Sequence, residues 1–335
     1  RGGRRCIEPD LRGKYRDFMH PGRHHHADRV LHRFSVKSFK EKGMSRKHPV
    51  IAVTGSSGAG TTTVKVAFEH IFRREGVNPA VIEGDSYHRY DRVAMKEAMT
   101  KAEESGKTNF SHFGPDANLF EKLAETFKTY AETGSCERRY YLHSDEEAEP
   151  FGQKPGEFTP WEAVPPGTDL LFYEGLHGGA VDGNANVAQF VDLLIGVVPI
   201  VNLEWIQKIH RDCAQRGYSA EVVTDTILRR MHDYVHYITP QFSRTDINFQ
   251  RVPTVDTSNP FIARDIPTPD ESFVVIRFRD PAKLEVDFPN LLSMLDGSFM
   301  SRRNSLVVPG GKMGFAMEII LAPIIERMMD NRKSA

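Results

Sequence analysis

The sequence has little cysteine, no long apolar segment and almost no net charge. Its 335 residues include three cysteines, Cys6, Cys136 and Cys213, which are far apart and follow no pairing motif. This usage favours a reducing, cytoplasmic environment over a disulfide framework. No apolar run reaches transmembrane length, and no signal-peptide core is present near the first residues. The formal net charge of -1 gives no overall attraction to nucleic acid or to a membrane, so we expect neither as a partner.

The glycine-rich stretch that begins at Gly55 lacks the lysine that its type normally carries. The apolar run 50–54 stops at this glycine, and a helical pattern restarts at Thr61. This order of strand, loop and helix predicts a P-loop, whose backbone N–H groups and helix N-terminus bind nucleotide phosphates. Lysine usually follows the last glycine of such a loop, but Thr61 stands there, so the cation must come from elsewhere. The predicted ATP-binding residues are Gly55, Ser56, Ser57, Gly58, Ala59, Gly60, Thr61, Thr62 and Thr63.

Short apolar runs alternate with helical patterns along most of the chain. The runs predict strands at 50–54, 80–83, 170–173, 193–198, 273–278 and 305–308. The helical patterns predict helices at 62–75, 92–104, 119–130, 202–215, 219–237 and 312–329. Asn202 is the predicted N-cap of the fourth helix. Residues 134–167 are predicted to be loops with a short hairpin. The proline-rich residues 239–270 are also predicted to be loop. The alternation predicts an α/β fold with a mainly parallel sheet.

Residues 1–43 differ in composition from the rest of the chain. They are basic and rich in arginine and histidine, and they precede Met44, which lies just before the first predicted strand. We therefore expect residues 1–43 to be a disordered extension and residues 44–335 to form a single domain that contains the predicted P-loop.

Two carboxylates follow predicted strands. Glu174 closes the run 170–173, where a P-loop enzyme holds a carboxylate for its metal ion, and Thr62 has the hydroxyl position that meets Mg²⁺. An ordinary loop glutamate is the alternative for Glu174, and His177 in the same turn can serve in the site or only shape the loop. Asp85 also follows a strand, at the sheet edge where open α/β folds bind ligands. A carboxylate there can accept the proton of an attacking hydroxyl.

Two groups of basic side chains accompany these carboxylates. His88, Arg89, Arg92 and Lys96 follow Asp85 and favour an anionic acceptor, with a solvated helix face as the alternative.

The helix predicted from residue 202 carries the second group. Lys208, Arg211 and Asp212 lie at helical spacing on one side of this helix. Such a stripe is usually a solvated face. Because Thr61 leaves the site without its lysine, we expect the helix to be a mobile lid that brings Lys208 or Arg211 to the γ-phosphoryl group. The residues alone therefore predict a kinase that uses Mg²⁺ and ATP to phosphorylate a small anionic hydroxyl compound, whose identity they leave open.

Five motifs together resemble phosphoribulokinase, in its bacterial (proteobacterial) branch. They are VTGSSGAGT at 53–61, EGDSYHR at 83–89, FYEGLH at 172–177, NLEWIQKIHRD at 202–212 and FQRVPTVDTSNPF at 249–261. The resemblance extends from about Met44 to the C-terminus, and Thr61 is not a departure within this branch. It implies a fold like that of nucleoside monophosphate kinases, with a mixed, mostly parallel central sheet flanked by helices.

The resemblance also implies a reaction and a set of site residues. The reaction is transfer of the ATP γ-phosphoryl group to O1 of ribulose 5-phosphate, which gives ribulose 1,5-bisphosphate for carbon fixation in the Calvin cycle. Asp85 would be the general base, and Mg²⁺ the cofactor beside Thr62 and Glu174. The implied residues at the transferring group are Lys208 and Arg211, supported by Asp212. The implied sugar-phosphate contacts are His88, Arg92, Lys96, His143 and Arg216.

Regulation is implied as well. The bacterial branch is similar to allosteric octamers that NADH activates and AMP inhibits. The resemblance therefore implies a homo-oligomer with these effectors. Arg74, Arg229 and Arg230 are the predicted effector residues, with ordinary surface arginines as an equal alternative. The predicted loop has no cysteine, so the thiol switch of the plant-type enzymes is not expected.

Two other functions compete with this interpretation. A kinase similar to uridine kinase or pantothenate kinase would share the P-loop and an early acidic residue. A regulator that binds nucleotide without catalysis would share the fold. The simultaneous presence of Asp85, Glu174, Lys208 and Arg211 favours an active enzyme over the regulator.

Overall fold

The computed structural model describes residues 47–55 and 61–334, with the backbone alone for Thr61 and Thr62. The expected extension at 1–43 and most of the predicted P-loop, residues 56–60, lie outside the described residues. The described residues all belong to one compact unit. None of their helices is both long enough and apolar enough to cross a membrane.

An eight-stranded mixed sheet organises the described part of the chain. Its strand order is β2-β5-β1-β6-β7-β8-β10-β9. The first five strands in this order are parallel, and the last three continue the sheet in antiparallel fashion. A separate two-stranded hairpin is formed by β3 and β4. The strands are β1 (Val50–Gly55), β2 (Pro79–Glu83), β3 (Glu137–Arg138), β4 (Glu162–Ala163), β5 (Leu170–Gly175), β6 (Leu193–Pro199), β7 (Ile247–Pro253), β8 (Ser272–Phe278), β9 (Phe299–Arg302) and β10 (Ser305–Pro309).

Helices cover both faces of this sheet, which confirms the predicted α/β class with a mixed, mostly parallel sheet. The helices are α1 (Thr61–Glu75), α2 (Arg92–Glu104), α3 (Phe120–Thr133), α4 (Asp145–Ala148), α5 (Val201–Arg216), α6 (Ala220–Asp233), α7 (Phe288–Met294) and α8 (Met313–Lys333). A π-helical turn, Tyr234–Ile238, continues α6.

The sheet packs a separate core on each face. On β1, Ile51 and Val53 pack into the core that α1 and α8 cover, whereas Val50 and Ala52 pack into the core that α3 covers. Successive strand residues point to opposite faces, so a strand buried on both faces is apolar at every position. This explains why the parallel strands β1, β5 and β6 are readable as uninterrupted apolar runs.

Two expectations about local structure are wrong. Residues 239–270 are not all loop, because β7 (Ile247–Pro253) lies between β6 and β8. Its polar residues Asn248 and Gln250 alternate with apolar ones, so the strand has no uninterrupted apolar run, and the nearby prolines favoured a loop. Asn202 is not an N-cap: α5 begins one residue earlier, and Asn202 Nδ2 instead donates to the carbonyl oxygen of Thr257 at 2.9 Å.

The helices α5 and α6 form a hairpin with its own small core. Ile209 on α5 packs against Val223 and Ile227 on α6. The predicted start of α6 is confirmed, since Ser219 Oγ accepts from the backbone N–H of Val222. Gly217 ends α5 in the left-handed conformation, with a φ of +69°.

Candidate active site

Three chain segments meet at the C-terminal edge of the parallel strands. The predicted P-loop begins at Gly55, the last residue of β1. After β2, a short 3₁₀ turn, Gly84–Tyr87, carries Asp85. On β5, Glu174 pairs in register with Glu83 of β2. This edge is where open α/β sheets bind their ligands.

Gly84 and Gly175 bring the ends of β2 and β5 into backbone contact. A Cβ on Gly84 would lie 2.6 Å from Tyr173 Oη and 2.7 Å from Gly175 Cα. A Cβ on Gly175 would lie 2.6 Å from Gly84 Cα. Any larger residue at either position would therefore push the two strand ends apart. Asp85 and Glu174, each next to one of these glycines, are held close to each other by this contact.

Asp85 lies between two histidines. His88 Nε2 is 3.3 Å from Asp85 Oδ1, and His143 Nε2 is 3.7 Å from Asp85 Oδ2. Burial acts to raise the pKa of the Asp85 carboxyl, but the hydrogen bond from His88 and the charges of both histidines outweigh it and lower that pKa to about 2. The Asp85 side chain is nevertheless 43% exposed, so an acceptor can reach it. Asp85 is therefore an ionised and accessible carboxylate at neutral pH.

Asn118 fixes the orientation of the His88 ring. Its Nδ2 donates to the carbonyl oxygens of His112 and Gly114, at 2.8 and 2.7 Å, so its Oδ1 faces His88 Nδ1 at 2.8 Å. An amide oxygen can only accept, which assigns a proton to His88 Nδ1. The opposite ring nitrogen then faces Asp85. Asn118 has no distinctive sequence context, and this contact only appears in the folded chain.

His112 completes the histidine cluster and was missed in the sequence. Its ring packs against that of His88 with centroids 4.3 Å apart. Burial, then the charges of His88 and Arg230, lower the pKa of His112 to about 3, so the ring is neutral. His177 shapes the loop: its Nε2 bonds to the carbonyl oxygen of His112 at 3.0 Å, and burial lowers its pKa to about 3.

Glu174 is a carboxylate without a hydrogen-bond partner among the described residues. Burial, then the negative charges of Asp85 and Glu83, raise the pKa of Glu174 to about 7. A cation beside the carboxylate would relieve both effects. The described residues contain no group of three or more metal-ligand side chains. The single carboxylate of Glu174 fits Mg²⁺, because this ion is usually held by one or two carboxylates together with substrate phosphates.

The start of α2 contacts the segment that lies between β3 and β4. Arg92 Nη2 donates to the carbonyl oxygen of His143 at 3.3 Å, and Lys96 lies exposed one helical turn later. Gly156 has a φ of +95°, and a Cβ there would lie 2.6 Å from Arg92 Cβ. Glycine at 156 therefore makes room for the Arg92 side chain. Arg89 instead braces a loop by donating to two backbone carbonyls.

Asp212 gathers three cations on α5. Lys208 Nζ lies 2.5 Å from Asp212 Oδ2, while Arg211 Nε and Arg216 Nη1 lie 3.0 and 3.3 Å from Oδ1. Burial acts to raise the pKa of Asp212, but the hydrogen bonds from Lys208 and Arg211 lower it. Asp212 therefore holds three basic side chains together on this part of α5.

Arg230 connects α6 to the loop that carries His112. Its guanidinium lies over the ring of Phe113, with the carbon 5.4 Å from the ring centroid. Burial lowers the pKa of Arg230 to about 10, which leaves it protonated at neutral pH. The same loop is tied to α6 by Ser111 Oγ, which donates to Asp233 Oδ2 at 2.7 Å. Arg230 thus lies near the histidine cluster.

Of the other two predicted effector arginines, Arg229 directly precedes Arg230 on α6, and its charge helps to lower the pKa of Arg230, whereas Arg74 lies in the last turn of α1. Arg74 pairs with the neighbouring Glu75 at the end of α1, and Arg229 pairs with Glu103 at the end of α2, at 2.8 and 3.0 Å.

Phosphoryl transfer requires a phosphate cradle, a carboxylate that can take a proton, and cations beside the transferred group. The fold and the site together define a P-loop kinase. A sequence profile of the phosphoribulokinase / uridine kinase family matches residues 50–258. The chain belongs to this family.

Known relatives match nearly the whole described chain. The chromosomal phosphoribulokinase of Cupriavidus necator is 65% identical over 292 residues, which cover 87% of this chain and 99% of that protein. The phosphoribulokinase of Nitrobacter vulgaris is 60% identical, with 87% and 100% covered. The solved structure of phosphoribulokinase from Rhodobacter spheroides is 56% identical, covers 86% of this chain and 99% of that chain, and has a TM-score of 0.79.

Proposed function

We propose that this protein is a phosphoribulokinase that transfers the γ-phosphoryl group of ATP to O1 of ribulose 5-phosphate. The product, ribulose 1,5-bisphosphate, would serve carbon fixation in the Calvin cycle. The observation that carries the proposal is the position of Asp85. It is an ionised carboxylate between His88 and His143 at the C-terminal edge of the parallel strands. The high identity to phosphoribulokinases along the same residues supports the choice of acceptor.

Asp85 is the proposed general base. The O1 hydroxyl of the acceptor attacks the γ-phosphorus, a new O–P bond forms, and the bond between that phosphorus and the β,γ-bridging oxygen breaks. Asp85 takes the O1 proton, and ADP leaves with the electrons of the broken bond. Its contact with His88 orients the carboxylate toward the acceptor before reaction.

Basic residues around Asp85 are the proposed contacts of the sugar phosphate. Arg92 and His143 lie on adjoining segments, joined by the bond from the Arg92 guanidinium to the His143 carbonyl. A phosphate bound there would place the opposite end of a five-carbon sugar near Asp85. The proposed contacts are His88, Arg92, Lys96, His143 and Arg216.

Lys208 and Arg211 are the proposed cations at the transferring phosphoryl group. Asp212 holds both side chains on one side of α5, which pre-organises them. The small separate core of α5 and α6 supports motion of this hairpin as a lid. These cations would supply the positive charge that a P-loop lysine normally provides at the position of Thr61.

Mg²⁺ is the proposed cofactor, held by Glu174 and by the hydroxyl of Thr62. When bound, it would neutralise charge on the β- and γ-phosphates. Residues 55–63 are the proposed phosphate-binding loop, in which Gly55 ends β1 and Thr61 begins α1.

The finer partner and regulatory assignments are also proposals. We propose a homo-oligomer, an octamer by family resemblance, with NADH as activator, AMP as inhibitor and Arg74, Arg229 and Arg230 as effector residues. Residues 44–335 would act as the kinase domain. Cytoplasmic location is supported by the two described cysteines, Cys136 and Cys213, which are free thiols.

The acceptor assay tests the proposed function. Purified protein with Mg²⁺ and ATP is offered ribulose 5-phosphate, uridine or pantothenate, and ADP formation and the phosphorylated product are measured. We expect turnover with ribulose 5-phosphate alone. Turnover with only uridine or pantothenate would replace phosphoribulokinase by one of those kinases, and nucleotide binding without any turnover would favour the regulator.

A further inference from the structure

Arg139 holds the turn that carries Asp85 and His88. Its Nε donates to the carbonyl oxygen of Ser86 and its Nη2 to that of His88, both at 2.8 Å. The two acceptors belong to the 3₁₀ turn and its C-cap, directly after Asp85. One planar guanidinium therefore fixes two backbone points on the segment that presents the proposed base.

Aromatic rings fix Arg139 in turn. Its guanidinium carbon lies 3.7 Å from the centroid of the Phe158 ring and 4.7 Å from that of Trp161. Trp161 also contacts the ring of Tyr87 edge-on, with centroids 5.5 Å apart. Cation–π contacts of this kind stabilise a desolvated guanidinium and restrict its orientation.

Arg139 has no carboxylate partner among the described residues, unlike its neighbour. Arg138 pairs with Glu162 at 3.2 Å across the β3–β4 hairpin, which accounts for its charge. The hydrogen-bonding capacity of Arg139 is directed to backbone carbonyls of the active-site turn. Stabilising the hairpin would not require those acceptors.

The same segment also brings the second histidine to Asp85. Four residues after Arg139, His143 Nε2 lies 3.7 Å from Asp85 Oδ2. Between them, the backbone N–H of Tyr140 donates to Thr159 Oγ1 at 2.9 Å, which holds this segment against the returning chain. Arg139 thus links both sides of the Asp85 carboxylate through one short stretch of chain.

We infer that Arg139 is a positioning residue for phosphoryl transfer, which acts through Asp85 by gripping the backbone of Ser86 and His88. The inference rests on the proposed role of Asp85 as base. A lysine at 139 keeps the charge but cannot form both bonds and stack between the rings. The base would then be misplaced, which is expected to reduce kcat without weakening nucleotide binding.

The test compares Arg139→Lys with the matched control Arg138→Lys. We expect Arg139→Lys to lower kcat by about 10- to 100-fold, with the Kd for ATP within about twofold of wild type. Arg138→Lys should retain kcat within about twofold. In an Asp85→Asn background, Arg139→Lys should cause little further loss, because residues that act through one group are not additive. Unchanged kcat in Arg139→Lys, or losses that multiply in the double variant, would overturn the inference.

Two further measurements separate this inference from the proposed function and from misfolding. A crystal structure of Arg139→Lys needs no acceptor: we expect the contact between Asp85 Oδ1 and His88 Nε2 to lengthen beyond about 4 Å. An unchanged contact contradicts the inference whatever the substrate is. If Arg139→Lys does not fold, Phe158→Leu removes the ring under the guanidinium and should lower kcat in the same direction. Wild-type kcat in a folded Phe158→Leu would also contradict the inference.

Discussion

Gly84 and Gly175 pack backbone against backbone, so that a Cβ on Gly175 would lie 2.6 Å from Gly84 Cα. Through this contact, the strand ends that carry Asp85 and Glu174 approach more closely than side chains would allow. The close approach of the proposed base and the proposed metal ligand therefore depends on glycine, which has no side chain, at both 84 and 175.

The glycine contact predicts that Gly175→Ala misplaces Asp85 and Glu174, the proposed base and the proposed metal ligand. The added methyl group must push β5 away from the turn at Gly84, and a displacement of about 1 Å can lower a rate by about 100-fold. We expect kcat to fall on the order of 10- to 100-fold, measured with ribulose 5-phosphate at saturating ATP. Gly183→Ala is the matched control, because a Cβ there meets no heavy atom within 4 Å. Equal activity of both variants would show that the contact is dispensable.

Replacing Asp85 should greatly reduce kcat but leave ATP bound. Loss of a general base typically lowers the rate by about 10²- to 10⁴-fold, so Asp85→Asn and Asp85→Ala should show a kcat reduced by this range. Calorimetric titration with ATP should give a Kd close to that of wild type. Asp330→Asn removes an exposed carboxylate of α8 and serves as the control. Near-normal turnover by Asp85→Ala would remove this residue from the base role.

Lys208 and Arg211, the cations of the proposed lid, should affect kcat more than ATP affinity. Lys208→Met and Arg211→Ala each remove a cation that Asp212 holds in place, and that is proposed to act on the transferring group. We expect kcat to fall by about 10²- to 10³-fold, with a smaller change in the Kd for ATP. Lys333→Met, on the exposed end of α8, should behave like wild type. A loss of ATP affinity as large as the loss of kcat would assign these cations to ground-state binding instead.

The raised pKa of Glu174 predicts how the stability of the metal-free protein depends on pH. Burial, then Asp85 and Glu83, raise this pKa from 4.5 to about 7 in the folded chain. Between these values the folded state keeps a proton that the unfolded state releases, so the free energy of unfolding that this group contributes falls as the pH rises. Glu174→Gln cannot ionise and should escape this loss.

Melting temperatures in EDTA measure the effect. Glu174→Gln should match wild type near pH 4.5 and melt higher than wild type above about pH 7, by on the order of a few degrees. Glu326→Gln, on the exposed face of α8, controls for the loss of one surface charge. A difference that is constant with pH, or that shrinks as the pH rises, would contradict the raised pKa.

Sequence reasoning located the strand ends but not the contacts between them. The run before Glu174 is apolar at every position because β5 is buried on both faces, and this pattern is local. The alternating strand β7 was missed because half of its residues are polar and prolines surround it. Asn118 and His112 could not be found from the sequence. Asn118 donates to loop carbonyls that no sequence pattern marks, and His112 packs against His88, which is distant in sequence.

The sequence by itself determined which residues could do chemistry: a glycine-rich turn after a strand, acidic residues at two strand ends and cations at helical spacing on α5. Local periodicity and strand-end chemistry carry that information because they depend on near neighbours alone. Only the tertiary structure decided how these residues are placed. Arg138 and Arg139 are identical side chains in adjacent positions, yet one forms an ion pair with Glu162 while the other grips the turn after Asp85. The difference arises because successive side chains on an extended segment point to opposite sides, and what lies on each side is determined by packing.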